Sequence, residues 1–215
     1  MSDFYSEGHR SLQDRYGTRP LADRLESMIV HSSFNEDDTA FIQSREFFFL
    51  STVDSSGHPT VSFKGGNPGF VRVQDNALVI PCYDGNGMFL SVGNIAAQPK
   101  VGLLFIDFEK PWRMRVQGLA RLDEGADVRE VPGAVLFIRI EPQQIFVNCP
   151  RYIPRYAKIE SSRFNPDAQG KAPLPDWKRL KEVHDVLRPE DQQTATAEGL
   201  MSMEEAIAKA AQKSP

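Results

Sequence analysis

The chain has 215 residues, 40% of them hydrophobic and 25% charged, the balance of a globular protein long enough to bury a core. A formal charge of −4 argues against a nucleic-acid partner, which would call for a basic stripe, and no run approaches the ~20 apolar residues of a membrane span. Two cysteines, Cys82 and Cys149, are too few for a zinc site or a disulfide framework and fit reduced thiols in a cytoplasmic protein.

Residues 1–20 are polar, without the apolar stretch of a secretory leader, and read as a loose arm with a short helix. From Pro20 the pattern is helical, with Leu21, Leu25, Met28 and Ile29 at helical spacing. Asn35 followed by Glu36, Asp37 and Asp38 is a capped helix start whose buried face would be Phe41 and Ile42. Phe47 to Val53, the turn Asp54-Ser55-Ser56-Gly57 and Thr60 to Phe63 predict a β-hairpin. After the break at Gly65 to Gly69 come two short strands, Phe70 to Val73 and Ala77 to Ile80. Pro81 to Gly87 reads as a loop and Met88 to Ala97 as a helix stopped by Pro99. Val101 to Phe108 and Arg113 to Leu122 are strands, with Gly118 a predicted bulge. A polar loop over Asp123 to Glu130 leads to strands at Val135 to Ile140 and Gln144 to Val147, parted by Glu141-Pro142. About seven strands with one crossing helix, and no helix–strand alternation, predict a mainly antiparallel β-barrel with flanking helices. The expected organisation is a helical arm over 1–44, a barrel core over 45–155, and a tail over 156–215 packing on the barrel or a partner subunit. In that tail 164–176 reads as a proline-bearing linker. Residues 176–188 read as an amphipathic stretch with Trp177, Leu180, Val183 and Leu187 on one face, and 198–213 as a weaker helix.

No metal-ligand spacing, nucleophile elbow or phosphate-binding glycine loop of the common enzyme classes occurs. Catalysis would therefore rest on a bound cofactor. Four segments could hold one. Gly85 and Gly87 precede a helix start, an arrangement that suits an anion. Lys64 ends a strand before Gly65-Gly66. Arg113 and Arg115 share one strand face. Arg151 and Arg155 alternate with Tyr152 and Tyr156 in a proline-stiffened segment.

Over residues 40–155 the chain resembles the pyridoxamine-phosphate-oxidase-like, FMN-binding split-barrel superfamily. The resemblance lies in FFFLSTVDSSGHPTVSFKGG, ALVIPCYDGNGMFLSVGNIAAQPKVGLLFIDF and WRMRVQGLARL, taken in order. It implies a split barrel and a homodimer with flavin sites at the interface. It also implies that Val61, Ser62, Phe63 and Lys64 lie along the flavin ring and ribityl chain, and that Pro81, Cys82 and Tyr83 touch it. The loop and helix start, with Asn86, Gly87, Met88 and Ser91, would face the phosphate. Arg113 stands where the oxidases place a flavin-contacting glutamine. Where they carry an Arg-Lys pair on the helix, this chain has Leu90-Ser91, which leaves Lys64, Arg113 or Arg151 to neutralise the phosphate. Their C-terminal substrate motif has no clear match here. The implied function is an FMN-dependent oxidoreductase acting on a small molecule, with no metal. The alternative is a non-catalytic split-barrel protein that binds or senses flavin, deazaflavin or haem.

Overall fold

The computed structural model describes residues 4–123 and 130–212. Most of the loop expected over Asp123 to Glu130 lies outside them, as do the first three residues of the arm and the last of the 198–213 helix. The chain forms two compact units, residues 1–161 and 162–215.

The first unit opens with three helices: α1 (Glu7–Arg15), α2 (Arg19–Ile29) and α3 (Glu36–Gln43). Asn35 caps α3 by accepting from the Asp38 N–H at 2.8 Å, and Ile42 is fully buried while Phe41 packs partly against the core. Seven strands follow: β1 (Phe47–Val53), β2 (Pro59–Gly65), β3 (Arg72–Gln74), β4 (Ala77–Tyr83), β5 (Lys100–Asp107), β6 (Trp112–Asp123) and β7 (Ala134–Asn148). Helix α4 (Leu90–Ala97) crosses between β4 and β5. The strands form one sheet in the order β2-β1-β5-β6-β7-β4-β3, and every ladder in it is antiparallel. Inward residues alternate with exposed ones along the strands. Phe48, Leu50, Leu78, Ile80, Leu103, Phe105, Met114, Val116 and Ile138 join Ile95 of α4 in one buried cluster. Among the described residues no helix is long and apolar enough to cross a membrane.

Four expectations change in this unit. Phe70 and Val71 are buried in the loop before β3, where Phe70 stacks on Phe48, so the third strand starts at Arg72. Pro81, Cys82 and Tyr83 belong to β4 and not to a loop. Strand β3 pairs with β4 only as far as Val79, so Pro81 lies where β4 has a neighbour on one side, a place that tolerates a residue without an N–H. The two strands expected around Glu141-Pro142 are one, β7, and the bulge sits there. Gln117 opposes Gln144 while Gly118 opposes Pro142, which leaves Gln143 as the extra residue. Finally, α4 begins at Leu90 and not at Met88, because Phe89 takes a left-handed φ of 50° and cannot join the helix.

In the second unit the 176–188 stretch is not one helix. It forms two short 3-10 turns, Asp176–Arg179 and His184–Val186, because the backbone between them turns aside to pair with Met201. Leu180 is buried as its spacing suggests, and Trp177 is partly exposed. Helices α5 (Pro189–Glu198) and α6 (Met203–Gln212) complete it. Lys178 is buried and paired with Asp191 at 2.8 Å.

Candidate functional site

The residues singled out in the sequence fall on two faces of the sheet. Directly opposed residues share a face. Ser62 opposes Leu50 and Lys64 opposes Phe48, both core residues, so Ser62 and Lys64 point to the core side. Val61 and Phe63 oppose Ser51 and Phe49 and point outward, at 69% and 62% exposure.

On the core side a row of small polar groups holds α4 across the β1–β2 hairpin. Ser91, buried in the first turn of α4, shares a hydrogen bond of 3.0 Å with the Ser62 hydroxyl. One turn on, Asn94 Nδ2 donates to Thr52 Oγ1 at 3.0 Å and Thr60 Oγ1 at 3.3 Å, and the two threonines are bonded at 2.9 Å. The first turns of α4 are thereby fixed on Thr52, Thr60 and Ser62, and Lys64 follows Ser62 on the same face of β2. Its first intrahelical bond is from Gly93 N to Phe89 O, so the N–H groups of Leu90, Ser91 and Val92 are left without acceptors in the helix. Cys82 lies on the same side and packs on the core cluster. Burial pushes its thiol up to about 11, with the Lys64 ammonium pulling the other way, which puts Lys64 within electrostatic reach of the end of β4. Sequence reading missed Thr60 and Asn94. Thr60 stands two residues before Ser62 and Asn94 three after Ser91, the spacings that place side chains together on a strand and on a helix.

The loop before α4 is open. Asp84 to Phe89 are all exposed, Gly87 has φ 75°, and Asn86 Oδ1 accepts from the Met88 N–H at 3.0 Å. Tyr83 is driven upward by burial, against the pull of Arg72. Arg72 is a cation near the end of β4 that the sequence reading did not single out.

The outer face carries a different set. Phe63 stacks on Phe47 at 5.3 Å and meets Phe49 edge-on at 6.1 Å. Phe49 opposes Leu104, Leu104 opposes Arg115, and Arg113 stands two residues from Arg115, so the aromatic patch runs across the sheet to two arginines. Arg113 is thus on the opposite face from Lys64. Arg151, beyond the end of β7, is exposed with its guanidinium 6.0 Å from the Tyr152 ring centre, and no hydrogen bond among the described residues ties it to either set. The chain therefore places Ser62, Lys64, Cys82 and Ser91 on the core side, and Val61, Phe63 and Arg113 on the other face.

This sheet order and crossing helix can be set beside known proteins. The family model described as pyridoxamine 5′-phosphate oxidase matches residues 34–149, more than half of the chain. The chain belongs to the pyridoxamine 5′-phosphate oxidase family. The matched span contains every element from α3 to the end of β7, and with them both residue sets. No curated protein matches the chain. Among solved structures, HupZ of Group A Streptococcus is similar at 18% identity, over 58% of this chain and 99% of that one, with a TM-score of 0.44. The heme storage protein HutZ of Vibrio cholerae is 18% identical over 54% of this chain and 94% of its own, with a TM-score of 0.38. An FMN-binding protein of Syntrophomonas wolfei is 11% identical over 64% and 97%, with a TM-score of 0.41.

Proposed function

We propose that this member of the pyridoxamine 5′-phosphate oxidase family is an FMN-dependent oxidoreductase acting on a small molecule, working as a homodimer with its cofactor sites at the subunit interface. The observation that carries this reading is the Ser62–Ser91 hydrogen bond at the α4 N-terminus, with Lys64 next along the same face of β2, within the span that matches the family.

The donor set suits FMN. Its phosphate needs a cation and several N–H or O–H donors, and the cluster offers the Lys64 ammonium, the Ser62 and Ser91 hydroxyls and the first-turn N–H groups of α4. Lys64 takes the part of the Arg-Lys pair that this helix lacks. The flat ring needs apolar surface and a few donors; the outer face offers exposed Phe63 and Val61, with Arg113 farther across the same face. These donors lie on the two faces of one sheet, so a second copy would complete each site with its outer face. Bound there, a flavin would supply hydride or single-electron chemistry. The chain's own work is to hold the phosphate, exclude water with the Phe47–Phe49–Phe63 patch, and keep the neighbouring Cys82 thiol protonated and uncharged at neutral pH.

Flavin titration tests this. The wild-type protein should quench FMN fluorescence and bind it more tightly than riboflavin, which lacks the phosphate. Lys64→Met should weaken FMN binding roughly tenfold to a hundredfold and leave riboflavin binding nearly unchanged. A protein that stays colourless in excess FMN would sink the proposal. A Soret band with haem, and no flavin binding, would replace it with the haem-binding alternative.

A further inference from the structure

Residues 150–161 follow β7 without forming a helix or strand, and all but the half-buried Ile153 are exposed. They are tied to the sheet at the β5–β6 turn and at the root of β1. At the turn, the Tyr156 N–H donates to the Phe108 carbonyl at 3.0 Å, the two rings lie 5.2 Å apart, and the Lys158 N–H donates to Glu109 Oε1 at 3.1 Å. At the root of β1, one carboxylate oxygen of Glu46 accepts from the Lys158 ammonium at 2.7 Å and from the Ser161 hydroxyl at 2.8 Å. The Lys158 bond holds the Glu46 carboxyl below its ordinary range against the effect of burial, so this clasp is charged at neutral pH. Little apolar burial backs these bonds. Tyr152 and Ile159 are almost fully exposed, and ion pairs at the surface stabilise little, so the segment belongs to the parts of a fold that open locally. Tyr152 also holds a left-handed φ of 70° between Pro150 and Pro154, a strained backbone that opening can relax. What the segment covers is aromatic. Phe108 stacks on Phe47 at 6.2 Å and Phe47 on Phe63 at 5.3 Å, so Tyr156 is the end ring of the row that crosses the outer face.

We infer that residues 150–161 are a gating strap. Closed, it caps the Phe108 end of the outer aromatic row with Tyr156; released from Glu46, it opens that row to a flat ligand ring. The identity of the ring rests on the flavin reading, whereas the opening of the strap does not.

The full-length protein is compared with a Lys158→Met/Ser161→Ala variant, which removes both bonds to Glu46 from the exposed side and leaves the sheet untouched. Amide hydrogen exchange is read first, without ligand. The Tyr156 and Lys158 N–H groups should exchange about tenfold faster in the variant, while those of the β1–β2 ladder keep their rates. Stopped-flow mixing with FMN is read second, and association should quicken by a similar factor, because a larger share of the molecules is open. Unchanged exchange overturns the strap and leaves the flavin reading standing. Faster exchange with an unchanged association rate overturns the gate and again leaves the flavin reading standing. Association of FMN with neither protein overturns the flavin reading and the gate with it.

Discussion

Cys82 shows how burial and charge compete at a single residue. Its thiol is pushed from an ordinary 9.0 up to about 11 by burial, and Lys64 only moderates the rise. A thiol raised in this way stays protonated and inert at neutral pH, so the exposed Cys149 should take up an alkylating reagent first. The sign of the pH dependence follows. Below the ordinary thiol value both folded and unfolded chains hold the proton, and Cys82 has no pH effect. Between about 9 and 11 the unfolded chain gives it up first, so folding stability falls as pH rises through this window. Urea denaturation at pH 8 and at pH 10.5 should show this loss in the wild type and a smaller one in Cys82→Ala. Equal losses in both would mean that the thiol is not the group responsible. Thr60 and Asn94 show the limit of residue-level reading: neither carries a charge, and they meet only because α4 packs across the hairpin, which no local pattern reveals.

At the scale of elements, what could be read depended on whether a local signal set the structure. The β1–β2 hairpin follows from its turn: Asp54 Oδ1 accepts from the N–H groups of Ser56 and His58 at 2.8 and 2.9 Å, the side-chain clasp that an Asp before Ser-Ser-Gly predicts. The α3 start is legible for the same reason. Where long-range pairing wins, the local signal misleads. Pro142 looks like a strand end, yet β7 runs through it because the bulge at Gln143 absorbs the irregularity opposite Gly118. The tail looks like a helix until the backbone beside Leu180 pairs with Met201. Gly118 was legible as a site of irregularity, though its role is to admit the opposite strand. A Cβ there would stand 2.3 Å from the Glu141 carbonyl oxygen, a clash with backbone that no side-chain rotation relieves. Gly118→Ala should therefore cost about 3 kcal/mol, the upper end of overpacking penalties. At Gly102 the nearest atom, Ser51 Cβ, is 3.9 Å away, and Gly102→Ala should be close to neutral. Chemical denaturation midpoints of the two variants check the contrast; a Gly118→Ala protein as stable as Gly102→Ala would contradict the observed register.

At the scale of the whole molecule, the decisive fact is the two-faced distribution of the candidate site. A sequence lists Lys64 and Arg113 side by side as cations, and only the sheet assigns one to the core side and the other to the outside. The helical arm adds exposed apolar side chains, among them Leu21 and Met28 at 60% and 69%, but they neighbour neither set by any described bond. On the proposed reading, each flavin would take Lys64 from one copy and Arg113 from the other. That arrangement makes a prediction that a site within one subunit does not share. Lys64→Met and Arg113→Met chains should each bind FMN weakly when alone. Unfolded together and refolded as a mixture, they would form mixed dimers in which one site is built from the two intact residues and the other from both altered ones. With random pairing, about a quarter of all sites would then regain wild-type affinity. A titration of the mixture should show a tight phase of that size, absent from either variant alone. If Lys64 and Arg113 served the same site from the same chain, mixing would restore nothing, and the interface reading would fall while the Lys64 cluster kept its role.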